Sequence, residues 1–315
     1  MIQSLNFHRL SLDDKAWVDA VFQGTAYRGC FCSFATFYLW KDAYHSEATY
    51  FSNALLARGI DREGQRYYMY PLGREYDIRA CIEALREDAA AEGCPLRLSC
   101  VEEWQCEELR NAFPGEFTFE LSRDDFDYMY RTEDLIRLSG KKYHAKRSHI
   151  SQFVRAYPDW QYDDITSGNA SECIAFADEW LAGTVAAESD PRQAQELRVE
   201  NAAIVLALSE FERLGFMGGL LRVGGKIIAM TIGEPLQPKV FKVFVTHFEK
   251  ADTGYNGAYG MINQQFALHR LAPYEYVNRE EDMGREGLRK AKLSYHPAFL
   301  LEKYNVRDIS FSKEA

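Results

Sequence analysis

The chain has no run approaching the ~18 consecutive apolar residues of a membrane-crossing helix, so none is expected. Its first seventeen residues, MIQSLNFHRLSLDDKAW, have neither the basic start nor the apolar core of a secretion signal, and a cytoplasmic location is expected. Ordered cysteine patterns are missing too. The seven cysteines are odd in number and irregularly spaced, and Cys30-Phe31-Cys32 is not C-x-x-C. They read as reduced, small hydrophobic residues, with no metal expected. The chain also lacks an excess of positive charge. A net charge of −10 weighs against a broad nucleic-acid footprint and against anionic lipid. One stretch lacks acid instead. Arg137 to Arg155 carries Arg137, Lys141, Lys142, Lys146, Arg147 and Arg155 with no carboxylate, directly after the acid-rich Glu116 to Asp134. Such a switch marks either a solvated helix face or a local anion site.

What is present is a folded chain's composition, 47% hydrophobic and 27% charged over 315 residues. That length suggests two domains of about 150 residues each. Amphipathic spacing predicts helices over 13–23, 78–92, 102–113, 141–156, 171–182, 196–214, 257–271 and 287–295. Alternating or apolar runs predict strands at 50–59, 67–72, 96–101, 117–121, 128–131, 160–165, 219–223, 226–232, 240–248, 274–278 and 298–304. Gly224-Gly225 is a good two-residue hairpin turn. The expected fold is thus α/β with mixed sheets, as an N-terminal domain over 1–155 and a C-terminal one over 156–315 that repeats its plan.

This order of elements is that of the GNAT-type acyltransferase fold. Two blocks narrow the resemblance. Leu138-Ser139-Gly140-Lys141-Lys142-Tyr143-His144-Ala145-Lys146-Arg147-Ser148-His149-Ile150 resembles the entry to the C-terminal domain of phosphatidylglycerol lysyltransferase-like proteins. Tyr276-Val277-Asn278-Arg279-Glu280-Glu281-Asp282-Met283-Gly284, with Leu288-Arg289-Lys290-Ala291-Lys292-Leu293-Ser294-Tyr295-His296-Pro297, is similar to another block of that family. The resemblance implies two tandem GNAT-like domains and acyl or aminoacyl transfer.

The candidate site follows. In a GNAT-like domain the donor slot opens between the strands at 240–248 and 274–278, where backbone N–H groups near Val245 and Thr246 could steady an oxyanion. The loop Asp252-Thr253-Gly254-Tyr255-Asn256-Gly257-Ala258 leads into a helix whose free N–H groups could hold the pyrophosphate of coenzyme A. It departs from the usual R/Q-x-x-G-x-G/A signature at Asp252 and Tyr255. Glu280, Glu281 and Asp282 are candidate bases, one of them with a pKa raised by partial burial, or else members of an ion-paired turn. The resemblance implies that Tyr295 protonates the leaving group; a core tyrosine is the alternative. Lys142, Lys146, Arg147, Asn278 and Lys292 are candidate substrate contacts, and His247 is given no role. The expected activity is N-acyl transfer from an acyl-CoA-like donor to a small amine. The alternatives are an aminoacyl-tRNA-dependent transferase, against which the net charge weighs, and a non-catalytic ligand-binding protein on the same fold.

Overall fold

In the computed structural model, which describes residues 5–236 and 242–310, the elements run in chain order as follows. The first half holds α1 (Lys15–Phe22), α2 (Phe34–Leu39), β1 (Glu47–Phe51), β2 (Ala54–Ile60), β3 (Arg66–Met69), β4 (Leu72–Gly73), α3 (Ile78–Ala91), β5 (Arg97–Glu102), α4 (Glu103–Ala112), β6 (Phe117–Leu121), β7 (Asp127–Arg131), α5 (Thr132–Arg137) and α6 (His144–Ala156). The second holds β8 (Gln161–Asp164), α7 (Ala170–Ala187), α8 (Pro191–Ser209), α9 (Phe211–Leu214), β9 (Met217–Val223), β10 (Lys226–Leu236), β11 (Val243–Ala251), α10 (Ala258–Phe266), β12 (Tyr276–Asn278), α11 (Glu286–Leu293), β13 (Phe299–Leu301) and β14 (Lys303–Asp308). Residues 240 and 241, read from the sequence as the start of a strand, lie outside the described residues.

Two mixed sheets result, and each borrows a strand. The first has the order β1-β2-β3-β5-β14-β6, with β4 on β2; the second has β13-β7-β12-β11-β10-β9-β8. The expected division at residue 155 therefore does not coincide with the sheets. β7 lies before it but sits between β13 and β12 in the second sheet, and β14, from the far end, sits between β5 and β6 in the first. The expected single strand over 298–304 is for the same reason two. Leu301 pairs with Asp127 in the second sheet, and two residues later Lys303 pairs with Glu102 in the first.

Other differences are local. The run read as one strand from Tyr50 to Gly59 is a hairpin, because Ser52 and Asn53 adopt φ of 48° and 64°. Tyr295 lies past the end of α11, and the long helix read over 196–214 is α8 followed by the short α9. Helices α1, α2, α7 and α8 bury their apolar faces in one cluster that takes Leu55 and Ala57 from the first sheet and Leu220, Met230 and Phe248 from the second. Helices α3 and α4 cover the other face of the first sheet. Helices α6 and α10 cover the other face of the second.

Strand β11 carries a bulge. Ile232 faces Phe248 but Gly233 faces Thr246, so His247 is the extra residue. A bulge shifts the two-residue side-chain alternation by one. Before it, Phe244 packs on Phe266 and Tyr274; after it, Glu249 takes over that face and meets Asn263 of α10. Gly233 is required there, because a Cβ on it would lie 2.0 Å from the Val245 carbonyl oxygen. β11 and β12 then pair only from Val243–Val245 to Tyr276–Asn278 and part beyond.

Candidate active site at the parting of two strands

Past Asn278 the chain cannot continue as a strand, because Glu280 adopts φ of 56°. Asn278 fixes this turn. Its Oδ1 accepts the Glu280 N–H at 2.8 Å, while its Nδ2 donates to the Arg28 carbonyl at 3.0 Å and to Asp127 Oδ2 at 2.8 Å. Buried Lys292, reaching from α11, donates to the carbonyls of Arg279 and Glu281. Burial lowers its pKa. Both residues thus shape the turn from within.

The gap between the parted strands is spanned by ion pairs. His247 presents Nδ1 to Glu280 at 2.8 Å and Nε2 to Glu234 at 3.0 Å. Burial alone would lower its pKa, but the two carboxylates outweigh that and raise it to about 10. On the opposite face, Arg279 Nη2 donates to Glu249 at 2.8 Å.

Beneath the turn lies a second charged group, carried by the first residues of the two borrowed strands. Lys303, fully buried, donates to Asp127 Oδ1, itself fully buried. Asp127 also accepts the Cys30 N–H at 2.9 Å and the Cys30 thiol at 3.2 Å. Burial and then Asp127 raise the Cys30 thiol pKa. Glu281 is half-buried, with Oε2 at 3.8 Å from Cys30 Sγ. Donor atoms of Cys30, Asp127 and Glu281 lie within 4.8 Å of one another, a spacing that suits a metal ion. The Lys303 ammonium, however, already bonds two of the three, Asp127 and Cys30. The narrow cavity beside Lys303, about 20 Å³, has room for about one water and for no substrate.

The three candidate carboxylates separate clearly. Asp282 receives Arg123, Arg289, the Tyr128 hydroxyl and the Gly284 N–H. Burial would raise its pKa, but Arg289, Tyr128 and Gly284 hold it at about 2. It anchors the turn and is not poised to take a proton, which corrects the expectation for it. Glu280 is engaged by His247. Glu281 has a pKa raised to about 7, through burial opposed in part by Lys303. Tyr295 is buried with Arg279 and Tyr130 on the α10 side of β12, and burial raises its pKa to about 12. Glu281 lies on the other side with Cys30, so the structure does not bring these two together.

The remaining expected residues scatter. Val245 is paired on both sides, and Thr246 only with β10. Arg147 donates to the carbonyls of Leu138 and Gly140, clamping the turn before α6. Lys142 is exposed and reaches Asp134 at 3.4 Å. Lys146 lies over the Tyr295 ring, with Nζ 3.8 Å from its centroid. The 252–258 loop folds on itself. The Gly254 N–H goes to the Asp252 carboxylate at 2.8 Å, and the Tyr255 and Ala258 N–H groups go to carbonyls of Asp252 and Tyr255. Tyr255 leans on Tyr157, and a Cβ on Gly257 would meet the His149 carbonyl at 2.7 Å. Sequence reasoning missed Asp127, Lys303, Cys30, His247, Glu234 and Glu249. Cys30, Asp127 and Lys303 are far apart along the chain, and His247 and Glu249, two residues apart on β11, take partners from other elements that no spacing points to.

No helix among the described residues is long and apolar enough to cross a membrane. A family profile described as "Phosphatidylglycerol lysyltransferase, C-terminal" matches residues 23–307. A conserved protein of unknown function from Bacteroides thetaiotaomicron is 37% identical in sequence, with a TM-score of 0.88 over 96% of this chain and 99% of that one. The structure of L-PGS from Bacillus licheniformis is 14% identical, with a TM-score of 0.65 over 97% of this chain and 94% of that one. A tandem GNAT protein from the clavulanic acid biosynthesis pathway is 11% identical, with a TM-score of 0.50 over 96% of this chain and 98% of that one. An uncharacterized protein of Mycoplasmoides gallisepticum, MYCGA3080, is 23% identical over 208 residues; the match spans 65% of this chain and 62% of that protein's length. Two mixed sheets in one chain are the tandem GNAT-like architecture, and with a profile match over most of its length the chain belongs to the phosphatidylglycerol lysyltransferase C-terminal family.

Proposed function

We propose that this protein transfers an acyl group from an ester or thioester to an amine at the turn that follows β12, with Glu281 as the base. One observation carries this reading: of the three carboxylates in this turn, Glu280 is paired with His247 and Asp282 with Arg123 and Arg289, whereas Glu281, half-buried, has no ion-pair partner among the described residues and meets the Cys30 thiol at 3.8 Å; burial raises its pKa to about 7. A general base works best when its pKa lies near the working pH. The amine nitrogen bonds to the acyl carbon, Glu281 takes the proton that nitrogen loses, and as the acyl C–O or C–S bond breaks Glu281 returns that proton to the leaving oxygen or sulfur. The family and the fold support acyl transfer in this general sense.

For the donor, the loop before α10 favours an aminoacyl ester. Its N–H groups at Gly254, Tyr255 and Ala258 already have acceptors within the loop, and an acid beside a pyrophosphate is unfavourable. An acyl-CoA donor is the second reading, because the loop does lead into a helix N-terminus; it requires Asp252 to release Gly254.

Thermal-shift titrations with coenzyme A, acetyl-CoA and a non-hydrolysable aminoacyl-adenosine amide separate these readings. A shift with the aminoacyl-adenosine alone is expected. A shift with the coenzyme A species alone moves the assignment to the second reading, and no shift with any probe removes acyl transfer. With a working donor, Glu281→Gln is expected to lower turnover by about 10²–10⁴-fold at unchanged melting temperature. Wild-type turnover in that variant would dismiss Glu281 as the base.

A further inference from the structure

On the α10 side of β12 is a group of polar atoms that the transfer chemistry leaves unused. Arg279 is half-buried and spends Nη2 on Glu249, while its Nη1 is buried with no partner among the described residues. Asn263 of α10 donates to the other Glu249 oxygen at 3.3 Å, and its own Oδ1 is likewise buried and unpartnered. Lys146, half-buried on α6, lies against the Tyr295 ring, and no carboxylate pairs with it among the described residues. The Tyr295 hydroxyl lies close against Gly260 of α10. The Arg279 guanidinium is 5.1 Å from the same Tyr295 ring, so both cations lie against one tyrosine. Lys146 and Arg279 against Glu249 leave the group one positive charge in excess. A buried guanidinium N–H without an acceptor is destabilising, and an ionised oxygen is its strongest partner.

We propose that the Arg279–Lys146–Tyr295 cluster, where α6, α10 and the end of β12 meet, binds a small oxyanion of single negative charge, a carboxylate or a phosphodiester, held by Arg279 Nη1 and Lys146 Nζ with the Tyr295 hydroxyl as third donor. This site is independent of whether Glu281 acts as a base, because it is read by binding and not by turnover.

Lys146 also makes the site sensitive to pH. The groups facing it are Arg279 at the end of β12, Glu249 on β11, Tyr295 after α11 and Tyr130 on β7, with Asn263 and Tyr259 on α10 close to Glu249. Arg147, its neighbour on α6, is turned to the carbonyls of Leu138 and Gly140. Burial and then Arg279 lower the Lys146 pKa to about 8. Its charge is therefore present at neutral pH and lost as pH rises through about 8. A bound anion stabilises the ammonium, so binding there takes up protons.

The test is calorimetric titration of the full chain with acetate and, separately, dimethyl phosphate, both of which keep a single negative charge across the window read. Binding is expected to weaken about tenfold or more between about pH 7 and pH 9.5, across the Lys146 pKa of about 8. Near pH 8 the heat should depend on the ionisation enthalpy of the buffer, as proton uptake requires. Lys146→Met should weaken binding by a similar factor and abolish the pH dependence. Lys146→Arg should keep binding and hold it at high pH, where arginine stays charged. Acetate alone or dimethyl phosphate alone binding supports the site and names the class of ligand. No heat with either anion, or an unaltered pH dependence in Lys146→Met of unchanged melting temperature, overturns it.

Discussion

Asp127 and Lys303 form an ion pair that is fully buried on both sides. Removing one partner from such a pair strands a charge out of water, whereas removing both is far milder. Lys303→Met is therefore expected to lower unfolding free energy in urea by about 3–5 kcal/mol, and Asp127→Asn added to it should return a large part. Equal loss in the single and double variants would contradict the pairing. His247 lends a different signature. Its pKa in the fold, about 10, lies above the ordinary 6.5. Its contribution is thus fully present below pH 6.5 and lost as pH rises through about 10. Wild-type stability should fall over that window, and His247→Gln should flatten the fall. Residues of this kind were hard to read from the sequence. The expectation that partial burial raises the pKa of one of Glu280, Glu281 and Asp282 did not say which, because Arg123, Arg289 and Tyr128 arrive from other elements to hold Asp282.

Most elements were legible, because the patterns that specify them are local. The Gly224-Gly225 hairpin is formed as expected, both glycines having positive φ. The helix expected over 78–92 forms as Ile78–Ala91 and buries Cys81, Ile82, Leu85 and Ala89. The bulge in β11 was not legible, since it depends on a neighbour strand that approaches closely at Gly233. Gly233→Ala puts a methyl group 2.0 Å from the Val245 oxygen. It should cost about 1–3 kcal/mol in urea unfolding, with the shifted strand altering the His247 environment. A neutral effect on both would show that the bulge relaxes without strain. The splitting of the last run into β13 and β14 escaped the pattern for a related reason. Ala298 to Tyr304 has no turn residue to break it, and the partners on either side of Glu302 divide it.

As a whole, the molecule looks like a duplication but is laced together. Helices α1, α2, α7 and α8 share one core between both sheets, and each sheet depends on a strand from the other half. Residues 156–315 expressed alone lack β7, which joins β12 to β13. That fragment is expected to remain unfolded by circular dichroism, and the full chain to unfold in one transition. A stably folded fragment would restore the simpler division at residue 155.

The borrowed strand β14 sets an order on synthesis. β5 and β6 have left the peptidyl-transfer centre long before their shared partner is made, with the partner starting at Lys303 and β6 ending at Leu121. At ribosomal rates of about 5–20 residues per second, that delay is roughly 10–40 s. Throughout it, two strand edges face the cell without the strand that belongs between them, and unpaired edges invite pairing with other chains. The nascent chain therefore has its longest exposure to chaperones and to aggregation in its first half, although its last residues complete that half.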